Sequence, residues 1–112
     1  MKLTPIQIGI ILLTVATALI HLVLAYSIAV QLGAANSLMF VANGIGYLAL
    51  VTALYMPQFK KWQGIIRWLL IAFTAVTIIG WVMIGARNTM AYIDKLIEVI
   101  LIVLLFVEGR KS

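Results

Sequence analysis

A chain of 112 residues that is 65% hydrophobic and only 10% charged lies far from the composition of a soluble domain, and at this length the apolar segments leave no room for a separate water-soluble one. The absence of cysteine excludes disulfides, thiolate metal sites and CxxC redox chemistry. The net charge of +5 does not point to nucleic acid, because the basic residues flank apolar segments, where they set orientation and meet anionic headgroups.

Four apolar stretches, each long enough to cross about 30 Å of hydrocarbon, predict an all-α integral membrane protein. The first runs from about Pro5 to Val30, with the proline suited to a first helical turn. It exceeds the roughly 7 to 15 apolar residues of a cleavable signal, so LGAANS (Leu32 to Ser37) reads as a loop and not a cleavage site. A second span, from about Leu38 to Tyr55, is stopped by Met56-Pro57 and the polar QFKKWQG stretch. The third covers about Ile65 to Ile84, with Trp62, Trp68 and Trp81 near its ends as interfacial rings. After a short turn, Asn88 or Thr89 is placed to cap a fourth helix, about residues 90 to 107, that ends before EGRKS.

Loops this short join neighbouring helices antiparallel, giving a single-domain, up-down four-transmembrane-helix bundle. Lys2, Lys60, Lys61, Arg67, Arg110 and Lys111 against Glu108 charge one side, while Arg87, Asp94, Lys95 and Glu98 cancel on the other. The positive-inside rule then places both termini in the cytoplasm, as for a multi-pass protein of the plasma (inner) membrane. Lys60, Lys61 and Arg67 are the expected contacts to anionic headgroups. Small residues mark the expected packing faces: Thr14, Thr17, His21 and Ala25 on the first helix, and Ala42, Gly46, Ala49 and Ala53 on the second. The fourth helix has no such stripe and offers lipid or a second copy a broad aliphatic face, which points to a homo-oligomer.

The fourth helix also carries the puzzle of the sequence, because Asp94, Lys95 and Glu98 lie within it. On an insertion scale each Asp, Lys or Arg at a helix centre costs about 2.5 to 3.5 kcal/mol and each Leu, Ile or Val returns about 0.3 to 0.6. That helix is therefore near break-even and needs partners or water. At 1.5 Å per residue, Glu98, His21 and Tyr47 come out roughly 15 Å below the outer surface, and Asp94 and Asn43 roughly 9 Å below it. The inner half is expected to be almost wholly apolar.

Intramembrane ionisable groups are functional candidates by default. One reading is an outward-facing polar pocket, floored by Glu98 and His21 and walled by Asp94, Asn43, Tyr47 and Arg87, that binds or conducts a proton, a cation or a small polar ligand. Carboxylate and imidazole at equal depth suit a proton, since burial opposes the charged form of each. The bland reading is a structural clasp, with Lys95 paired to Asp94 or Glu98. Docking to a larger membrane complex through Asp94, Lys95, Glu98 and Arg87 would make the chain an accessory subunit. Thr17, four residues before His21, would leave space over the ring for a haem or chlorophyll bound through the imidazole, although no cofactor is predicted. A metal on His21, Asp94 and Glu98 lacks any HExxH-like spacing. Nucleophile elbows and phosphate-cradling loops are missing, and Gly44-Ile-Gly46 has no strand before it, so no enzymatic activity is expected.

Overall fold

The computed structural model describes residues 3–85 and 87–111, except for the side chains of Asn36 and Lys111. Lys2 and the Lys111 side chain, both counted toward orientation, and Ala86 in the last turn lie outside the described residues. Four helices form: α1 (Pro5–Leu32), α2 (Leu38–Tyr55), α3 (Gln63–Ile84) and α4 (Thr89–Lys111), with 3-10 turns at Ala34–Ser37 and Pro57–Trp62.

Local chemistry sets each boundary. Thr4 and Gln7 close a capping box around the start of α1, with the Gln7 N–H donating to Thr4 Oγ1 at 3.2 Å and the Thr4 N–H donating to Gln7 Oε1 at 3.0 Å. Gly33 ends α1 at φ 96°, where a side chain would be strained, and its N–H returns to the Ala29 carbonyl. Met56 is extended because Pro57 follows it, and α2 stops there. Asn88 caps α4 through Oδ1, which accepts from the Ala91 N–H at 2.9 Å. The main departure from the sequence reading is at the C-terminal end, where α4 runs on through Glu108, Gly109 and Arg110.

The helices stand in a square, with α1 against α2 and α4, and α3 against the same two; the backbones of diagonal pairs do not approach each other among the described residues. Close approach depends on glycine at two points. A Cβ on Gly44 would lie 2.7 Å from Leu22 Cγ and 3.0 Å from the Ala18 carbonyl oxygen of α1, and one on Gly46 would lie 2.5 Å from the Phe73 ring of α3. On α1 the small-residue stripe is buried throughout, as Thr14, Thr17, His21 and Ala25. The α2 stripe departs from expectation: Ala42 and Ala49 are exposed, and the buried face is Gly44, Tyr47, Val51 and Leu54. Alanine loses nothing on an apolar exterior, whereas the Tyr47 hydroxyl needs a partner and turns inward.

The core is aliphatic, centred on Ile10, Val51, Leu54, Leu70, Leu101 and Leu105. Outside it the surface is also apolar, with Leu12, Val23, Ile79, Met83 and Val103 all exposed. Pro5–Leu32, Leu38–Tyr55 and Pro57–Ile84 are long and apolar enough to cross a membrane. The longest dimension, 44 Å, is close to a bilayer with its headgroups, about 40 to 45 Å. A four-helix bundle so apolar on its exterior is consistent with membrane association.

Gly44→Ala is expected to cost about 1 to 3 kcal/mol, because the Ala18 carbonyl cannot retreat. Gly80 has nothing within 4 Å of its added Cβ, so Gly80→Ala should raise stability by up to about 1 kcal/mol through helix propensity. Unfolding of the two variants in mixed detergent and dodecyl sulfate measures the contrast.

Candidate proton-binding cluster

Six side chains from three helices meet inside the bundle. Helix α1 brings Thr17 and His21, one turn apart; α2 brings Tyr47; α4 brings Asp94, Lys95 and Glu98. Glu98 and Tyr47 are fully buried, and Asp94, His21 and Lys95 are at most 9% exposed. The Lys95 ammonium bridges the carboxylates, with Nζ 2.6 Å from Glu98 Oε1 and 3.1 Å from Asp94 Oδ2. Tyr47 donates its hydroxyl to Glu98 Oε2 at 2.7 Å, reaching across the diagonal from α2 to α4. Its ring is held edge-on by Phe73 of α3 at 4.8 Å between centroids. No ionisable group of α3 enters the cluster among the described residues.

Thr17 has a single hydroxyl proton and two carboxylates within reach. Asp94 Oδ1 is 2.5 Å from Oγ1 and Glu98 Oε2 is 3.1 Å away, so the shorter contact takes the proton. The longer one sets two oxygens face to face, a contact that becomes a hydrogen bond when Glu98 is protonated and donates to Thr17.

His21 has its tautomer chosen by the backbone. Nδ1 lies 2.8 Å from the Thr17 carbonyl oxygen, which can only accept, so Nδ1 carries a hydrogen. Nε2 faces Asp94 Oδ2 at 3.7 Å. In the neutral ring Nε2 is a lone pair opposite a carboxylate, and in the charged ring it is a donor aimed at that carboxylate. By formal charge, two carboxylates and one ammonium leave the cluster one negative charge in excess. Glu98, Thr17 and Asp94 are linked by contacts of 3.1 and 2.5 Å, and His21 Nε2 stands 3.7 Å from Asp94, beyond hydrogen-bond range.

Residues 2–107 match one protein family, described as "Family of unknown function (DUF7475)". The chain belongs to that family. It matches no curated protein and no solved structure. The matched stretch contains all six residues of the cluster, so the family description leaves their chemistry to be read from geometry.

A metal ion and a macrocycle each meet groups already in place. His21, Asp94 and Glu98 each offer one ligand atom within 4.8 Å of the others, as a metal would need. Any incoming cation would have to displace an ammonium that already holds both carboxylates. A macrocycle on His21 would meet Asp94 Oδ2, 3.7 Å from Nε2, and the rings of Phe40 and Tyr47, whose centroids lie 6.2 and 6.0 Å from the imidazole.

Not every expected residue joins the cluster. Asn43 sits one turn from Tyr47 and donates to Thr77 Oγ1 of α3 at 2.8 Å, leaving its Oδ1 buried without a partner among the described residues. Arg87 lies at the end of α3, stacked over Trp81 at 4.1 Å with Nη2 donating to the Val82 carbonyl at 2.6 Å. It serves the orphan carbonyls of a helix end.

A second polar layer occupies the end of the bundle that carries the termini, where the sequence reading expected charges at the membrane edge but no buried contact between them. Arg67 Nε donates to Glu108 Oε1 at 2.9 Å, and Tyr55 donates to Glu108 Oε2 at 2.9 Å. Arg67 is therefore buried against a carboxylate instead of reaching out with Lys60 and Lys61, which are exposed. The signal was present in the helical phase of α4. Asp94, Glu98, Leu101, Leu105 and Glu108 recur at steps of four, three, four and three, and all are buried.

Replacing Lys95 with Met removes the bridge and leaves two buried carboxylates facing each other. The expected loss is about 3 to 5 kcal/mol in unfolding free energy. Tyr47→Phe deletes one charge-assisted bond and should cost about 1.5 to 3 kcal/mol in the same measurement.

Proposed function

We propose that this chain is a non-enzymatic integral membrane protein whose activity is the reversible binding of one proton by the cluster of His21, Thr17, Asp94 and Glu98. In this reading all four helices cross the plasma membrane and both termini are cytoplasmic. Lys60, Lys61 and Arg110 support that orientation, since they gather at the end of the bundle that holds the termini. The charges of α4 are tolerated because they point into the bundle, where the other helices supply partners.

The observation that carries the proposal is the fixed tautomer of His21. With Nδ1 committed to the Thr17 carbonyl, the proton taken up at Nε2 enters facing Asp94 and cancels the excess negative charge of the cluster. Uptake therefore draws α1 toward α4 through the same Thr17–His21 turn that contacts both carboxylates. Helix packing is the output, and the proton is the ligand.

Binding and not conduction is the favoured mode. From Glu98 to Glu108 along α4 is about 15 Å, and that interval is filled by Ile10, Leu54, Leu70, Leu101 and Leu105. Thr14 and Thr74, also buried in the core, give their hydroxyls to carbonyls of their own helices at 2.6 and 2.8 Å. Apart from these hydroxyls and that of Tyr47 on Glu98, the core between Glu98 and the Glu108 layer is aliphatic among the described residues.

His21 is the chain's one histidine, so nitrogen NMR of histidine-labelled protein in lipid reads the site directly. On acidification Nδ1 is expected to stay protonated while Nε2 gains a proton. In Asp94→Asn, which removes the carboxylate facing Nε2, proton uptake at Nε2 should be weakened. A neutral ring protonated at Nε2, or a ring indifferent to pH, would refute the proposal. Vesicles containing the protein should stay proton-tight, and a leak abolished by Glu98→Gln would show conduction instead.

A further inference from the structure

We infer that the groove between α3 and α4, at the end of the bundle carrying the termini, holds the phosphate of one anionic phospholipid. The inference rests on the membrane reading above. It concerns the second polar layer, which the proton-binding cluster does not use.

The groove has a volume of about 320 Å³, and its lining changes character with depth. At its outer end stand Arg67 and Arg110. One turn deeper on each helix the walls are Ile71 and Leu105, while Trp68 and Phe106 meet edge-on across the groove at 5.4 Å. Charge at the end of the helices with aliphatic and aromatic surface below it is the order in which a phospholipid presents phosphate and then acyl chain.

Charge supports the same occupant. Arg67 and Arg110 against Glu108 leave one positive charge in excess at this layer. Arg67 is only 7% exposed, yet among the described residues it spends just its Nε–H, on Glu108. Its two terminal nitrogens carry four further N–H donors in the planar fork that suits a phosphate. Gly109 eases this position, since a Cβ there would lie 3.3 Å from Arg67 Cδ, a tight contact. Arg110 is exposed and free to close over the headgroup from the α4 side. The groove has room for a phosphate and the first methylenes, and the rest of the chain would lie on the exposed Phe106 face, continuous with the hydrocarbon.

Trp68 is a built-in reporter once Trp62→Phe and Trp81→Phe leave it as the sole tryptophan. That variant, reconstituted in phosphatidylcholine vesicles, is titrated with brominated phosphatidylglycerol or brominated phosphatidylcholine, and quenching of Trp68 gives relative association constants. Phosphatidylglycerol should be preferred by about fivefold or more, the value of one arginine near a membrane surface. Arg110→Gln, a substitution of an exposed side chain, should erase about fivefold of that preference. Lys60→Gln with Lys61→Gln should leave it intact. Equal quenching by the two lipids overturns the site, as does a preference that survives Arg110→Gln. A preference abolished by millimolar inorganic phosphate also overturns it, by showing that the groove takes the free anion. If neither brominated lipid quenches Trp68, the membrane reading itself fails and the lipid site with it.

Discussion

An ammonium held between two carboxylates, Lys95 between Asp94 and Glu98, is the contact on which the rest of this bundle depends. Ions inside an apolar bundle are costly unless each is matched in charge and hydrogen-bonded. Matching them takes residues from other helices: Thr17 and His21 from α1 and Tyr47 from α2. The helix with the most charge is thus the one that orders its neighbours. Since α2 and α4 are diagonal and their backbones do not touch, the Tyr47 hydroxyl is the means by which α2 registers against α4 at this depth.

Both polar layers belong to one face of α4. Along the line of Asp94, Glu98, Leu101, Leu105 and Glu108, charge occupies the two ends and leucine the middle. Each end is completed by a tyrosine of α2, Tyr47 for Glu98 and Tyr55 for Glu108, and each contains a basic residue, Lys95 or Arg67. The layers nonetheless differ in sign. The first has one negative charge in excess and a histidine able to cancel it; the second has one positive charge in excess once Arg110 is included. The proposed proton belongs to the first and the proposed phosphate to the second, with an aliphatic layer between them.

Much of this was legible from residues alone. The four helices, the stop at Met56-Pro57, a cap at Asn88 and the need of Glu98 for shelter all follow from period, caps and the cost of charge in hydrocarbon. The buried stripe of α1 was equally plain. The stripe of α2 misled, because small residues show where backbones are able to approach, not where they do: Gly44 and Gly46 serve two different neighbours, and Ala42 and Ala49 serve neither. Arg67 and Glu108 were read as edge charges because each lies near the end of an apolar segment. Only the continuation of α4 past Val107 brings them together.

What the sequence by itself determined is the class and its central difficulty: an apolar helical chain with Asp94, Lys95 and Glu98 inside its last apolar segment, which something must shelter. Hydrophobic length, helix caps and charge cost are local properties, so they can be read along the chain. Which groups do the sheltering was decided by tertiary structure. The Thr17 carbonyl that selects the His21 tautomer, the lone pair facing Asp94, and the rejection of Asn43 and Arg87 from the cluster depend on helix rotations of a few tens of degrees. Those rotations are set by all the packing contacts together, and no local spacing encodes them.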